Sequence, residues 1–186
     1  MSTGYKIAKG DDVYFLTFQI VGWTDIFTRK VYKDIAIDSF NFCQQNKGLE
    51  LFAYVIMSNH IHLVARSNVG DLSGFIRDFK NYTSREFLKI IDENTESRSE
   101  WLKMIFRYHG KFKSEQTHQV WTREDHPELI YSQEFLEQKI DYIHDNPVRA
   151  GIVSNAEDYL YSSARNYADL ESVIDVIKVD FSWKTV

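Results

Sequence analysis

Residues 49–66, LELFAYVIMSNHIHLVAR, constrain the fold more than any other stretch of the 186-residue chain. The run is apolar and rich in β-branched and aromatic side chains. It reads as buried strand, either one long bent strand or two. Residues two apart in a strand share a face. Ile61, Leu63 and Ala65 then make an apolar face suited to a core, and His60, His62 and Val64 lie on the other. That second face sets two imidazoles about 7 Å apart at their Cα atoms. Two polar rings in such a strand need partners. Either they converge on one divalent metal, or hydrogen bonds satisfy them at half-exposed positions; His-x-His alone does not choose.

The rest of the chain supplies elements to pack against this strand. DDVYFLTFQIV (11–21) reads as a second strand. Residues 28–48 carry Val31, Ile35, Phe40 and Phe42 at roughly helical spacing, with Gly48 as a stop. In 71–94 the stripe Leu72, Phe75, Ile76, Phe79, Phe87, Leu88, Ile91 predicts an amphipathic helix. Residues 95–118 are polar and ambiguous, and HQVWTRE (118–124) reads as a short strand. A last helix is expected over 132–146, opened by Ser132 as N-cap and ended or bent by Pro147. With no repeat, linker or low-complexity tract, one α+β domain over residues 1–186 is expected.

Composition narrows the class. Hydrophobic residues at 44% and aromatics at 15% belong to a globular chain. The single cysteine, Cys43, permits neither an internal disulfide nor a cysteine metal cluster. The N-terminus lacks the apolar core of a signal peptide, and no apolar run approaches the ~18 residues of a membrane span. A cytoplasmic location without membrane association is therefore expected. The formal net charge of −5 argues against bulk affinity for nucleic acid. The charge is uneven, however. Residues 66–123 hold eleven lysines and arginines against eight acidic residues, whereas 124–186 hold five against thirteen. The middle of the chain is where an anionic partner is expected.

A two-histidine metal site needs further ligands, and a catalytic one keeps positions open. The helix at 132–146 offers candidates. Tyr142 and Asn146 are four apart and share a helical face. An asparagine amide oxygen can ligate a hard cation, and a phenol can act as a nucleophile. His144 points to another side, as a surface histidine or one standing behind a ligand.

At these residues the sequence resembles a known family. SNHIHLV, FKNYTSREF, YIHDNPVRAGIV and YLYSSARNY are similar to motifs of the REP-associated tyrosine transposases, of the class named for histidine, a hydrophobic residue and histidine. The resemblance runs from about residue 13 to 167, and YIHDNPVRAG is its most specific part. It implies a ferredoxin-like or RRM-like antiparallel sheet with helices on one face. It implies an enzyme that nicks and rejoins single-stranded hairpin DNA through a 5′-phosphotyrosine, with Mg²⁺ or Mn²⁺ as cofactor. By the same resemblance Tyr142 is the nucleophile, His60 and His62 are metal ligands, and Asn146 matches the third ligand position, which glutamine often fills in related transposases. Relatives act as monomers or as dimers that exchange the tyrosine helix, so either state is expected.

Phosphate contacts are expected from Lys80 and Arg85, helped by Thr83 and Ser84, and from Arg149 just after Pro147. Tyr82 is a candidate for stacking on a base, and Trp121 either stacks or sits in the core. Residues 92–130, with His126, are longer than a compact member of the family needs. Two other readings stand beside the enzyme. One is an inactive DNA-binding descendant, which need not keep His60, His62, Tyr142 and Asn146. The other is a histidine-motif nucleotide hydrolase, which would want a third histidine where Val64 stands.

Overall fold

The computed structural model describes residue 7 and residues 10–93, 96–111, 117–123 and 126–180. Its centre is a four-stranded sheet made of β1 (Tyr14–Gln19), β2 (Leu49–Ile56), β3 (His60–Ser67) and β4 (Glu128–Leu129). The order is β2-β3-β1-β4 and every pairing is antiparallel. The apolar run at 49–66 resolves into two strands. They are joined by a tight turn in which Met57 N–H donates to the His60 carbonyl at 2.9 Å. The turn falls where the β-branched and aromatic run gives way to Ser58-Asn59, a pair suited to turns.

Among the described residues five α-helices accompany the sheet: α1 (Lys30–Asn46), α2 (Leu72–Asp92), α3 (Ser99–Gly110), α4 (Gln133–Arg149) and the single-turn α5 (Ala164–Tyr167). Side-chain caps open two of the helices, the one at Ser132 as expected. Asp71 accepts from Gly74 N–H at 2.9 Å to open α2, and Ser132 accepts from Phe135 N–H at 3.2 Å to open α4. Pro147 does not end α4; it sits buried in the last turn, and the helix stops two residues later. Near a helix end a proline removes one backbone donor without breaking the preceding turns. The ambiguous stretch 95–118 contains α3. The strand expected at 118–124 is reduced to a single bridge between Trp121 and Ile20, and residues 124–125 lie outside the described residues.

The two faces of the sheet carry separate apolar clusters. Leu16, Phe18, Tyr54, Ile56, Ile61 and Leu63 pack with the apolar stripes of α1, α2 and α3. Phe15, Phe52, Ala53, Val55, Met57 and Val64 pack with Ile140 and Ile143 of α4. The fold is α+β with an antiparallel sheet, as expected. Three helices share one face, and α4 lies on the other. The alternation of β3 explains the division, because Ile61, Leu63 and Ala65 go to the first cluster while Val64 and the histidine face go to the second.

The first cluster is aromatic. Phe79 is wholly buried, and its ring lies against Phe18, Phe40, Phe75 and Trp121 at centroid distances of 4.5–5.9 Å. Trp121 is a core residue, and its Nε1–H donates to Thr83 Oγ1 at 2.9 Å. Phe79→Ala should cost roughly 3–5 kcal/mol, read from urea unfolding. A loss below about 1 kcal/mol would mean that this cluster does not carry the fold.

Candidate active site

The site is built on the sheet face that α4 crosses. β3 is a central strand, and His62 sits between Thr17 of β1 and Val55 of β2 in register. Its ring is buried at 6% exposure and stacks on Phe15 at 5.3 Å with an interplanar angle of 24°. The His60 ring lies 4.7 Å from it. Ile140, Ile143 and Pro147 seat α4, and that seating turns Tyr142 toward the histidines. The Tyr142 ring meets His62 edge-on at 5.3 Å and Phe15 at 6.0 Å. The phenol is 38% exposed, open to an incoming ligand.

Hydrogen bonds fix both histidines through Nδ1. Asn59 Nδ2 donates to the Trp23 carbonyl at 3.2 Å, which orients the amide so that its Oδ1 faces His60. His60 Nδ1–H then donates to that oxygen at 2.6 Å. His62 Nδ1 is 2.9 Å from Thr17 Oγ1. The Nδ1 proton of His60 is so engaged, which leaves its Nε2 lone pair for a ligand, and His62 presents Nε2 the same way in the tautomer whose Nδ1–H donates to Thr17 Oγ1. This is the arrangement by which polar partners orient metal-binding histidines. Burial, then the neighbouring His60 and Lys139, pushes the His62 pKa down to about 3. Burial lowers that of His60 as well. Both rings are neutral at neutral pH, as metal ligation requires.

Two neutral imidazoles with free Nε2 atoms suit a divalent cation, but they are an incomplete shell. Among the described residues no group of three His, Cys, Asp or Glu side chains is arranged to hold a metal ion. A further ligand would have to be an amide, water or the substrate itself. Asn146 lies one turn from Tyr142, and its Nδ2 donates to the Tyr142 carbonyl at 2.8 Å. That bond leaves Oδ1 as the end available for coordination. The contacts on the histidine rings come from Phe15, Thr17, Asn59 and Tyr142 rather than from Asn146.

Helical periodicity divides α4 into three stripes. Ile140, Ile143 and Pro147 face the sheet. Lys139, Tyr142, Asn146 and Arg149 follow one another at three- and four-residue spacing on a second stripe. Here the Arg149 guanidinium lies 5.5 Å from the Tyr142 ring centre, and the Lys139 ammonium lies 4.2 Å from that of Phe15. Glu137, Asp141 and Asp145 form the third. Burial, then Glu137 and Asp145, raises the Asp141 pKa. The Lys139 ammonium is paired with Glu128 Oε2 at 2.8 Å, so on the second stripe it is Arg149 that favours a phosphate, which the acidic stripe repels.

Other residues singled out in the sequence lie elsewhere. Lys80 and Arg85 belong to α2, whose apolar stripe packs on the sheet face opposite the histidines. The Lys80 ammonium donates to the Thr122 carbonyl at 2.9 Å and lies 5.3 Å from the Phe18 ring centre. Thr83 is wholly buried and donates to the Phe79 carbonyl at 2.8 Å, so its hydroxyl is part of the core. Arg85 and Tyr82 are exposed on that far side. His144 is not a surface residue. Its Nε2 is 2.8 Å from Ser163 Oγ and its ring lies 5.0 Å from Tyr167, which pins α4 to the segment beyond it. Burial pushes its pKa down to about 4.

The neutral, buried rings of His62 and His144 make the fold sensitive to acid. As pH falls below about 6.5 the unfolded chain takes up protons that the folded chain refuses. Stability is therefore complete above that pH. It is lost as pH drops toward the folded values of about 4 and about 3. The expected slope is up to about 1.4 kcal/mol per pH unit for each ring. Urea midpoints at about pH 7 and about pH 5 test this, and equal midpoints would contradict it.

The family model for IS200-like transposases matches residues 16–122. The chain belongs to this family. The match begins within β1, runs through α1, β2, β3, α2 and α3, including the histidine pair, and stops before α4. Among curated proteins no sequence matches. Of solved structures, this IS200-like transposase is similar to a REP-associated tyrosine transposase bound to a REP hairpin. Identity is 17%, the TM-score 0.64, and the alignment covers 98% of this chain and 96% of that one. It is also similar to a proposed transposase from Deinococcus radiodurans R1, at 19% identity over 78% of this chain and 95% of that one. The TM-score there is 0.43, too low to bear on the fold. No helix among the described residues is long and apolar enough to cross a membrane.

Proposed function

We propose that this IS200-like transposase nicks and rejoins single-stranded hairpin DNA, with Tyr142 as nucleophile. The observation that carries the reading is the Tyr142 ring set edge-on, 5.3 Å from a buried, neutral histidine that its neighbours orient for ligation. The hairpin substrate is suggested by the REP hairpin bound to the structural neighbour. His60, His62 and Asn146 would hold Mg²⁺ or Mn²⁺, which when bound polarises the scissile phosphate.

The chain's own groups do the rest. Tyr142 Oη attacks phosphorus in line and gives up its proton to solvent. The P–O bond to the 3′ oxygen breaks, and that oxygen takes a proton to become a free 3′-OH. The DNA 5′ end is left as a phosphotyrosine. The Arg149 guanidinium beside the ring favours the developing phenolate and the phosphate that approaches it. Attack by the 3′-OH of another end reverses these steps and restores the phenol, with no ATP consumed. In this reading Tyr142 and the histidines of one chain make up one site.

The test is a denaturing gel of the protein incubated with hairpin oligonucleotides and Mn²⁺. A slow-migrating protein–DNA adduct that disappears with EDTA is expected. Tight binding with no adduct on any hairpin would instead mark an inactive DNA-binding descendant.

A further inference from the structure

Trp23 is the most exposed tryptophan of the described residues, at 69%, and it stands in strained backbone. Gly22 and Trp23 are consecutive left-handed residues, with φ of 64° and 54°. Glycine takes this conformation freely, but a bulky aromatic residue does so at a cost. The strain is held from several sides. Ile20 N–H donates to the Asn59 carbonyl at 3.0 Å, Phe27 N–H to the Ser58 carbonyl at 2.9 Å, and Thr24 Oγ1 to the Val21 carbonyl at 2.8 Å. On the far side Ile105 and His109 of α3 close on Gly22, where an added Cβ would lie 3.5 and 3.4 Å from them. The loop is thus locked onto the β2–β3 turn by contacts that leave the indole in water.

The lock reaches the candidate active site through one side chain. Asn59 donates to the Trp23 carbonyl at 3.2 Å and accepts from His60 Nδ1 at 2.6 Å. The Trp23 backbone and the His60 ring are therefore two ends of one hydrogen-bonded amide. We propose that Trp23 is a stacking platform for an unpaired nucleobase next to the phosphate bound at the histidine pair. An exposed indole offers a face to any base, and only an unpaired base can lie flat on it. The proposal rests on the single-strand DNA reading above, and it names the side from which the strand enters. It also gives the strain a use, since burial of the indole does not explain it.

The experiment measures binding of wild type, Trp23→Ala and Trp23→Phe to a hairpin with single-stranded flanks, by fluorescence anisotropy. One abasic site is walked through the flanks, and adduct formation with Mn²⁺ is scored on the same oligonucleotides. Wild type should bind about tenfold more weakly when one particular flanking base is removed. Trp23→Ala should bind the intact strand about tenfold more weakly and lose nothing further at that position. Trp23→Phe should recover most of the affinity. Additive losses at every position, or wild-type affinity in Trp23→Ala, would overturn the platform. So would a change confined to self-association in sedimentation, which would make Trp23 a contact between two copies. If wild type forms adducts but the losses are additive, the platform falls and the transposase reading stands. If the losses are non-additive but no adduct forms, the platform stands and the catalytic reading falls.

Discussion

Tyr142→Phe should lower strand cleavage by more than about a thousandfold and leave hairpin affinity within about twofold of wild type. The substitution removes one oxygen and keeps the ring. The contacts of that ring with His62, Phe15 and Arg149 are made by its carbon framework and survive. The phenol is partly exposed, so its loss leaves no buried donor stranded. A drop in cleavage with binding intact is thus the signature of a lost nucleophile. Equal losses of both would make Tyr142 a packing or binding residue. Undiminished cleavage would remove it from the chemistry.

His62→Ala should have the second largest effect, on metal and fold together. It deletes one of two oriented imidazoles and should weaken Mn²⁺ binding by about a hundredfold or more, with cleavage falling in step. It also opens a gap beside Phe15 and leaves Thr17 without its partner, which should cost about 1–3 kcal/mol of stability. Titration calorimetry with Mn²⁺ and urea unfolding separate the two effects. Thr17→Val gives a finer test. It keeps both rings but frees the orientation of His62, and a loss of roughly 10–100-fold in metal affinity is expected. Unchanged metal affinity in His62→Ala would end the ligand assignment.

Much of this arrangement was legible in the chain. The alternation of β3 separates Ile61, Leu63 and Ala65 from His60, His62 and Val64, and the two clusters divide along that line. The four-residue spacing of Tyr142 and Asn146 put both on one side of α4. Thr17, Phe15 and Asn59 were not legible, because each joins the site through strand pairing or a loop contact that no local pattern encodes. Lys139 had a signal that was overlooked, its place three residues before Tyr142 on the same helical stripe. The basic residues of α2 show a different limit. Amphipathic spacing says which side of a helix is buried, but not which face of the sheet receives it. Lys80 and Arg85 were expected to hold phosphates, and they lie across the sheet from the histidine pair. The short strand at 118–124 dissolved because Trp121 is drawn into the aromatic core and bonds to Thr83.

The first measurement to make is peptide mapping of the protein–DNA adduct by mass spectrometry, after nuclease trimming of the bound strand. A nucleotide remnant on the peptide that contains Tyr142, lost in Tyr142→Phe, is the expected result. A remnant on Tyr82 or any other residue would contradict the assignment of the nucleophile, and an adduct that carries no phosphodiester link would contradict the covalent mechanism itself.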